Sequence, residues 1–257
     1  MLKISNLSKT FNKGTVNEAT VFNGFNLSVQ KGEFVSIVGS NGSGKTTLLN
    51  IISGNIPIEG GSILLNGENI TNQKEYIRAR RIGRVFQDPS KGTANTMTIA
   101  ENMALAENKG KLYGLTPGLN KKKIEEYRDM LRPLNLGLED KIHTEVGALS
   151  GGQRQALTLL IATMTPIDLL LLDEHTAALD PKTSQDIMEL TNKIVLEKGI
   201  TTLMVTHNLR FAVEYGSRLM MFNKGTAVID KAGDAKQELV VDDLLKTFNE
   251  ISIECGN

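Results

Sequence analysis

One stretch of the sequence has the residue types and the spacing of a loop that binds phosphate. Residues 39–46 match the pattern G-x-x-x-x-G-K-[ST] in full. Glycines let the backbone turn its N–H groups toward an anion, and a helix that starts near Lys45 adds the positive end of its dipole. The lysine can reach the β- and γ-phosphates, and the hydroxyl of Thr46 can ligate Mg²⁺. The pattern predicts a site for a nucleoside triphosphate formed by Gly39, Ser40, Asn41, Gly42, Ser43, Gly44, Lys45, Thr46 and the following Thr47.

Two acidic residues, Asp173 and Glu174, follow directly after the apolar run at residues 169–172. This run predicts a buried strand, and ligands of open α/β sheets bind at the carboxyl ends of such strands. Asp173 is placed to hold Mg²⁺, usually through water, and Glu174 to polarise a water for attack on the γ-phosphate. Acids at a strand end are as often simply solvated, but the phosphate loop in the same chain favours the catalytic interpretation.

A second site for an anion is predicted at residues 149–153. Ser150 is a favourable N-cap for a helix over residues 153–164, so a hydroxyl and glycine amides would be exposed at the start of that helix. Alone, such a turn is common. Its position between the phosphate loop and the acidic strand end favours contacts to phosphate, made by Ser150, Gly151, Gly152 and Gln153.

The rest of the sequence predicts the elements that position these residues. Short apolar runs predict strands, and a helix over residues 45–53 is closed by Gly54. The runs lie at residues 21–22, 25–29, 34–38, 62–65, 82–86, 169–172, 201–206 and 218–222, with a hairpin partner at 226–230. The stretch 88–165 is more polar and mostly helical. Strands that alternate with helices indicate an α/β fold with a mostly parallel sheet and an inserted helical subdomain.

The composition sets limits on compartment and partners. The 257 residues include 29 basic and 29 acidic ones, so no excess of positive charge points to nucleic acid. No apolar run approaches the roughly 20 residues of a membrane-spanning helix, and the first residues lack the pattern of a secretory signal. The single cysteine, Cys255, suits a reducing compartment. We therefore expect a cytoplasmic protein that reaches a membrane only through other subunits.

Together, these motifs resemble those of the nucleotide-binding subunit of an ABC transporter, over nearly the whole chain. In this resemblance residues 149–153 match the signature sequence, and Asp173 and Glu174 match the Walker B pair with its catalytic glutamate. Gln87 resembles the Q-loop glutamine, which contacts Mg²⁺ and the attacking water. Residues 178–180 resemble the D-loop.

Two further residues take their predicted roles from the same resemblance. His207 resembles the switch histidine, whose imidazole can hydrogen-bond the γ-phosphate. Phe11 stands where the family carries an aromatic residue that stacks on adenine, which needs only a π face. The chain departs from the family pattern at His175, where proline is usual, and at Thr163, where arginine is common. Neither departure removes a phosphate ligand.

The resemblance implies a P-loop NTPase core with a mostly parallel sheet, an N-terminal antiparallel β subdomain and an inserted helical subdomain. Residues 1–87 and 166–257 are expected to form the RecA-like core with the antiparallel part, and residues 88–165 the helical subdomain. Two copies are expected to meet head to tail with ATP between them, since each chain offers two helix starts that bind anions. ATP and Mg²⁺ are the expected ligands.

The expected function is an ATPase that energises transport, with integral-membrane permease subunits and a solute-binding protein outside the cytoplasm as partners. The chain would lie on the inner face of the cell membrane through those partners. Import of a small solute such as an amino acid is favoured over export or lipid handling. A soluble ABC ATPase of translation or repair usually has two nucleotide-binding domains or a long coiled-coil insertion, and neither is evident. A P-loop kinase is disfavoured by residues 149–153.

Overall fold

The computed structural model describes residues 1–111 and 118–254, and the strands of these ranges form two sheets. The strands are β1 (Leu2–Phe11), β2 (Ala19–Val29), β3 (Phe34–Gly39), β4 (Gly60–Leu65), β5 (Glu68–Asn69), β6 (Ile82–Val85), β7 (Leu169–Asp173), β8 (Thr201–Val205), β9 (Arg218–Asn223) and β10 (Thr226–Ala232).

Helices connect these strands and form most of the central stretch of the chain. They are α1 (Lys45–Ser53), α2 (Glu75–Arg78), α3 (Ile99–Glu107), α4 (Ile124–Leu131), α5 (Gly151–Thr163), α6 (Pro181–Lys198), α7 (Leu209–Glu214), α8 (Asp234–Gln237) and α9 (Val241–Glu254), with 3₁₀ turns at Pro89–Lys91, Lys121–Lys123, Arg132–Leu134 and Val146–Ala148. Among the described residues, no helix combines the length and the apolar composition that crossing a membrane requires.

The larger sheet has the strand order β10-β9-β3-β8-β7-β6. Its neighbours are parallel except for the β9–β10 hairpin, which is antiparallel as predicted. Every residue of β3, β7 and β8 is buried, which explains why these strands are apolar runs without alternation. Because the strands are parallel, their carboxyl ends meet at one edge of the sheet. The predicted α/β fold with a mostly parallel sheet is confirmed.

The smaller sheet is antiparallel, with the order β2-β1-β4-β5. The sequence predicted two short strands at residues 21–22 and 25–29, but the structure has the single strand β2. Gly24, at φ +71°, sits where the pairing register of β1 and β2 shifts. The irregularity breaks the apolar pattern without ending the strand. Phe25 of this sheet packs on Phe222 of the larger sheet, with ring centroids 5.5 Å apart.

The two sheets share one apolar core, and the helical stretch has another. The first cluster joins both sheets to α1 and includes Leu48 and Ile51. The second cluster joins α3, α4 and α5, includes the fully buried Tyr127, and reaches Ile187 of α6. The inserted helices therefore bury their own apolar faces while remaining attached to the helix that follows β7.

Candidate active site

The predicted phosphate loop runs from the end of β3 to the start of α1. Gly39 has φ +152°, and a Cβ on it would lie 2.3 Å from the carbonyl oxygen of Phe222 on the neighbouring strand, so a side chain is excluded. A Cβ on Gly44, at φ +103°, would come within 3.0 Å of the Phe22 ring. The antiparallel sheet thus packs directly against the loop. The helix begins at Lys45, as predicted, and no side chain caps it in the described part of the chain. Its first N–H groups are available to an anion.

Lys45 is held within the loop. It is only 5% exposed, and its Nζ donates to the carbonyl oxygens of Gly39, at 2.7 Å, and Ser40, at 2.9 Å. Burial lowers the pKa of Lys45, and the nearby carboxylates of Glu174 and Asp173 oppose this shift. The ammonium group is therefore positioned between the loop and the two acids at the end of β7.

The other residues of the loop differ in exposure. Ser40, Asn41 and Gly42 are exposed, and Thr47 is half-buried in the first turn of α1. The Ser43 hydroxyl is buried and has no hydrogen-bond partner among residues 1–111 and 118–254. Buried polar groups are normally paired, so an unpaired hydroxyl in such a loop suits a site whose ligand supplies the partner.

Asp173 and Thr46 meet where β7 ends and α1 begins. The Thr46 hydroxyl donates to Asp173 Oδ1 at 3.1 Å, and Arg84 Nη2 contacts the other carboxylate oxygen at 3.1 Å. Gln87 lines the same cleft, which has a volume of about 640 Å³. The structure thus brings the three predicted Mg²⁺ ligands, Thr46, Gln87 and Asp173, around one cleft.

These oxygen donors fit Mg²⁺. The described ranges hold no cluster of three or more His, Cys, Asp or Glu side chains that could form a metal cage. Mg²⁺ rarely needs one, since it is commonly held by one or two protein oxygens and completes its coordination with water and substrate phosphates. A hydroxyl and a carboxylate beside a phosphate loop are therefore an appropriate donor set.

Glu174 and His207 form a close pair next to Asp173 at the end of β7. His207 Nε2 lies 2.7 Å from Glu174 Oε1, and the Glu174 side chain is 14% exposed. The glutamate has φ +50°, uncommon for a residue with a side chain, and its N–H donates to Val205 O on the neighbouring strand at 2.9 Å. This geometry turns the chain sharply at the end of β7. Both side chains line a second cleft of about 480 Å³.

The motif at residues 149–153 forms a capped helix start. Helix α5 begins at Gly151, two residues before the predicted start, because Gly151 and Gly152 already have helical hydrogen bonding. Ser150 accepts a hydrogen bond from Gln153 N at 3.2 Å, and Gln153 Oε1 accepts one from Ser150 N at 3.3 Å. These residues line a cleft of about 370 Å³ together with residues 178–180, and Ala178 also borders the cleft beside Thr46.

Phe11 lies at the end of β1, at the rim of the antiparallel sheet. It is half-buried and pairs with Ala19, and Lys9 Nζ lies 5.2 Å from the centre of its ring. Stacking of this ring on adenine stays a prediction.

Arg84 is a site residue that the sequence motifs do not identify, since the run at residues 82–86 predicts only a strand. The signal that could have found it was the charge itself, because an arginine within the apolar run 82–86 needs a buried acid as partner. That acid is Asp173.

The two departures from the family pattern have local explanations. His175 is 2% exposed, and its Nε2 lies 3.1 Å from the hydroxyl of Thr191, which itself donates to Ile187 O. Residue 175 is therefore tied to α6 by a hydrogen bond.

At the second departure, the buried Thr163 donates to Leu159 O, and Lys198 from α6 donates to the Thr163 carbonyl at 2.6 Å. This places a cation at the carboxyl end of α5, where it is favourable.

The burial of His175 predicts a pH-dependent stability. Burial lowers its pKa from 6.5 to about 4. In the unfolded chain His175 takes up a proton below pH 6.5, whereas in the folded chain it stays neutral down to about pH 4. The free energy of unfolding should therefore fall as the pH drops from 6.5 to 4, by on the order of 3 kcal/mol from this residue.

The measurement is chemical denaturation at several pH values for the wild type and for His175→Asn, which cannot titrate. The difference between the two curves isolates the histidine, because the other titrating groups are shared. We expect the variant to lose less stability toward pH 4. Parallel curves would show that His175 does not titrate as proposed.

Comparison with known proteins identifies similar chains. The sequence model of the family described as ABC transporter matches residues 22–177. The chain is 50% identical over 248 residues to the tyrosine transport ATP-binding protein of Clostridioides difficile (strain R20291), covering 96% of this chain and 98% of the relative. It is 34% identical over 242 residues to a phosphonates import ATP-binding protein of Alcaligenes faecalis, covering 91% of this chain and 84% of the relative.

Solved structures show the same similarity in three dimensions. A dimeric ATP-binding cassette, MJ0796, in a post-hydrolysis state with ADP and phosphate, has a TM-score of 0.76 and 30% identity, covering 90% of this chain and 98% of that one. The ADP conformation of another cassette, MJ1267, has a TM-score of 0.80 and 26% identity, covering 100% of this chain and 99% of that one.

Proposed function

Because this chain belongs to the ABC transporter family as an ATP-binding subunit, we propose that it uses ATP hydrolysis to drive import of an amino acid through a membrane permease. The chain is an ATPase, and the proposal concerns its catalytic residues, its partners and the solute that is transported. The observation that carries the proposed chemistry is the placement of the phosphate loop beside Asp173, through the Thr46 hydrogen bond, and of the Glu174–His207 pair next to it in the chain.

The proposed roles follow from these positions. The amides of residues 39–46 and the Lys45 ammonium bind the phosphates, while Thr46, Asp173 and Gln87 hold Mg²⁺. When bound, Mg²⁺ neutralises charge on the β- and γ-phosphates. Catalysis then consists mainly of positioning and charge stabilisation.

Glu174 is the proposed general base. It accepts a proton from the attacking water as the water oxygen bonds to the γ-phosphorus and the bond to the β-phosphate oxygen breaks. His207 Nε2 lies 2.7 Å from this carboxylate. Its proposed role is to turn this N–H toward the γ-phosphate when ATP is bound.

A second copy of the chain is the proposed partner in nucleotide binding. Residues 150–153 line a different cleft from the one beside Thr46, with Ala178 bordering both. A head-to-tail pair would let Ser150 and the amides of Gly151 and Gly152 contact the γ-phosphate held by the other copy, with Phe11 on the adenine. The dimeric state of the similar cassette MJ0796 supports this arrangement.

We propose that residues 1–87 and 166–257 form the core and residues 88–165 the helical subdomain. The permease is proposed to dock on the helical part of the chain. A groove of about 630 Å³ lies where α2 and β6 face α3 and α5. Apolar side chains line it, including Phe86, Ile161 and Leu105, which is 45% exposed. Because Phe86 precedes Gln87, a permease segment in this groove would contact the same loop that reaches the nucleotide.

Through the permease, the chain would lie on the inner face of the cell membrane. A solute-binding protein on the outer side would deliver the solute.

The similarity to a tyrosine transport protein, at 50% identity over nearly the whole of both chains, supports an amino acid as the solute. The test is uptake of radiolabelled tyrosine, and of other labelled amino acids, by cells that lack the gene. Uptake should return with the wild-type gene and with Glu197→Gln, an exposed control on α6, but not with Glu174→Gln. Unchanged uptake of every amino acid in the deleted strain would refute the proposed solute class.

A further inference from the structure

Arg84 is a buried cation next to the proposed Mg²⁺ carboxylate. Its side chain is 10% exposed, and its Nη2 lies 3.1 Å from Asp173 Oδ2. Its Nη1 donates to Ser53 Oγ at 3.1 Å and Asn55 Oδ1 at 3.3 Å. The guanidinium also lies over the Phe86 ring, 4.5 Å from its centre. These contacts come from α1, β7 and the end of β6, so the side chain has a fixed position.

The charge of this side chain is permanent, since arginine does not lose its proton in proteins. Arg84 Nε is buried and has no hydrogen-bond partner within the residues that the structure describes. Burying a guanidinium with one donor unpaired is unfavourable. A better-paired or apolar side chain would be expected here if packing were the only requirement.

The two oxygens of the Asp173 carboxylate are divided between different partners. Oδ1 accepts from Thr46, and Oδ2 faces Arg84. A cation that approaches Thr46 and Asp173 therefore meets a carboxylate whose charge Arg84 partly neutralises. ATP phosphates that approach the same cleft meet a positive charge that is present with or without metal, since Arg84 also lines that cleft.

We propose that the charge of Arg84 lowers the affinity of the Asp173 site for Mg²⁺, while it attracts the phosphates of ATP. This proposal rests on the proposed role of Asp173 as a Mg²⁺ ligand. Its consequence is a nucleotide affinity that depends less on Mg²⁺ than it would without the arginine.

The test compares ATP affinity with and without Mg²⁺. Labelled ATP is titrated in EDTA and then in excess Mg²⁺. The dissociation constant in EDTA divided by that in Mg²⁺ measures how much the metal strengthens ATP binding. In Arg84→Met we expect affinity in EDTA to fall about fivefold and the ratio to rise about tenfold, because a charge next to the site is removed. Arg84→Gln, which is neutral but keeps a donor, should behave alike. Arg84→Lys should stay near the wild type.

Arg81 provides a matched control. It pairs with Asp168, Nε to Oδ2 at 2.5 Å, and thus repeats the arginine–aspartate contact between β6 and β7 at the opposite end of these strands. Arg81→Met should leave the ratio unchanged. A purely structural role for Arg84 would weaken ATP binding equally in EDTA and Mg²⁺, so an unchanged or smaller ratio in both neutral variants overturns the proposal.

Asp173→Asn separates this inference from the proposed function. If Asp173→Asn loses the Mg²⁺ effect but the neutral Arg84 variants keep the wild-type ratio, the role of Arg84 is refuted and the metal site stands. If Asp173→Asn keeps the full Mg²⁺ effect, the metal site itself is wrong. Thermal unfolding of each variant without nucleotide establishes that it is folded.

Discussion

Glu174→Gln is expected to lower the rate of ATP hydrolysis by about 10²- to 10⁴-fold, the usual contribution of a positioned general base. The affinity for ATP should change little. The glutamine has the same shape and can keep a contact to His207, which lies 2.7 Å from the carboxylate. It cannot take up the proton of the attacking water. Bound ATP therefore persists, and two copies should remain joined around it.

Phosphate release under steady-state conditions measures the rate, and size-exclusion chromatography with and without ATP measures the dimer. Glu197→Gln is the matched control, because it makes the same chemical change at an exposed position on α6. The control should hydrolyse ATP at the wild-type rate and elute as the wild type does. Near-normal phosphate release by Glu174→Gln would refute the role of Glu174 as general base, whether or not the variant elutes as a dimer.

The sequence was sufficient for the fold wherever local pattern and tertiary environment agree. β3, β7 and β8 are buried on both faces, so their apolar runs identify them directly. Helix α1 has the predicted bounds because the loop glycines and Gly54 mark its ends. The pattern failed at β2, where the bulge near Gly24 interrupts the alternation and only the pairing with β1 shows one continuous strand.

The site was predictable in its residue types but not in its contacts. The motifs name Lys45, Asp173 and Glu174, because phosphate loops and strand-end acids have fixed spacing along the chain. The contact of Arg84 with Asp173 joins residues 89 positions apart, and it depends on β6 lying beside β7 in the sheet. The tie between His175 and Thr191 likewise depends on how α6 packs. Such contacts follow from strand order and helix packing, which local sequence patterns do not reveal.

Lys45→Ala is expected to weaken ATP binding by about 10- to 100-fold, as loss of a charged hydrogen-bond donor to phosphate contributes roughly 1.5–3 kcal/mol. Lys45 is nearly fully buried and is held by two loop carbonyls, so its ammonium has a fixed position before the ligand arrives. Alanine removes one of the positive charges that oppose the repulsion between the phosphates and the acids Asp173 and Glu174.

Two measurements separate lost binding from lost folding. Titration with labelled ATP gives the affinity, and thermal unfolding with and without ATP gives the stabilisation by the ligand, which depends on the ratio of its concentration to the dissociation constant. Without ATP, alanine loses two hydrogen bonds to loop carbonyls but also removes a buried ammonium, so the two effects on stability partly cancel. The variant should unfold near the wild-type temperature without ATP and gain little from it. Lys193→Ala, an exposed lysine on α6, should retain the full ATP-dependent shift. An unchanged affinity of Lys45→Ala for ATP would contradict the assignment of this lysine to the phosphates.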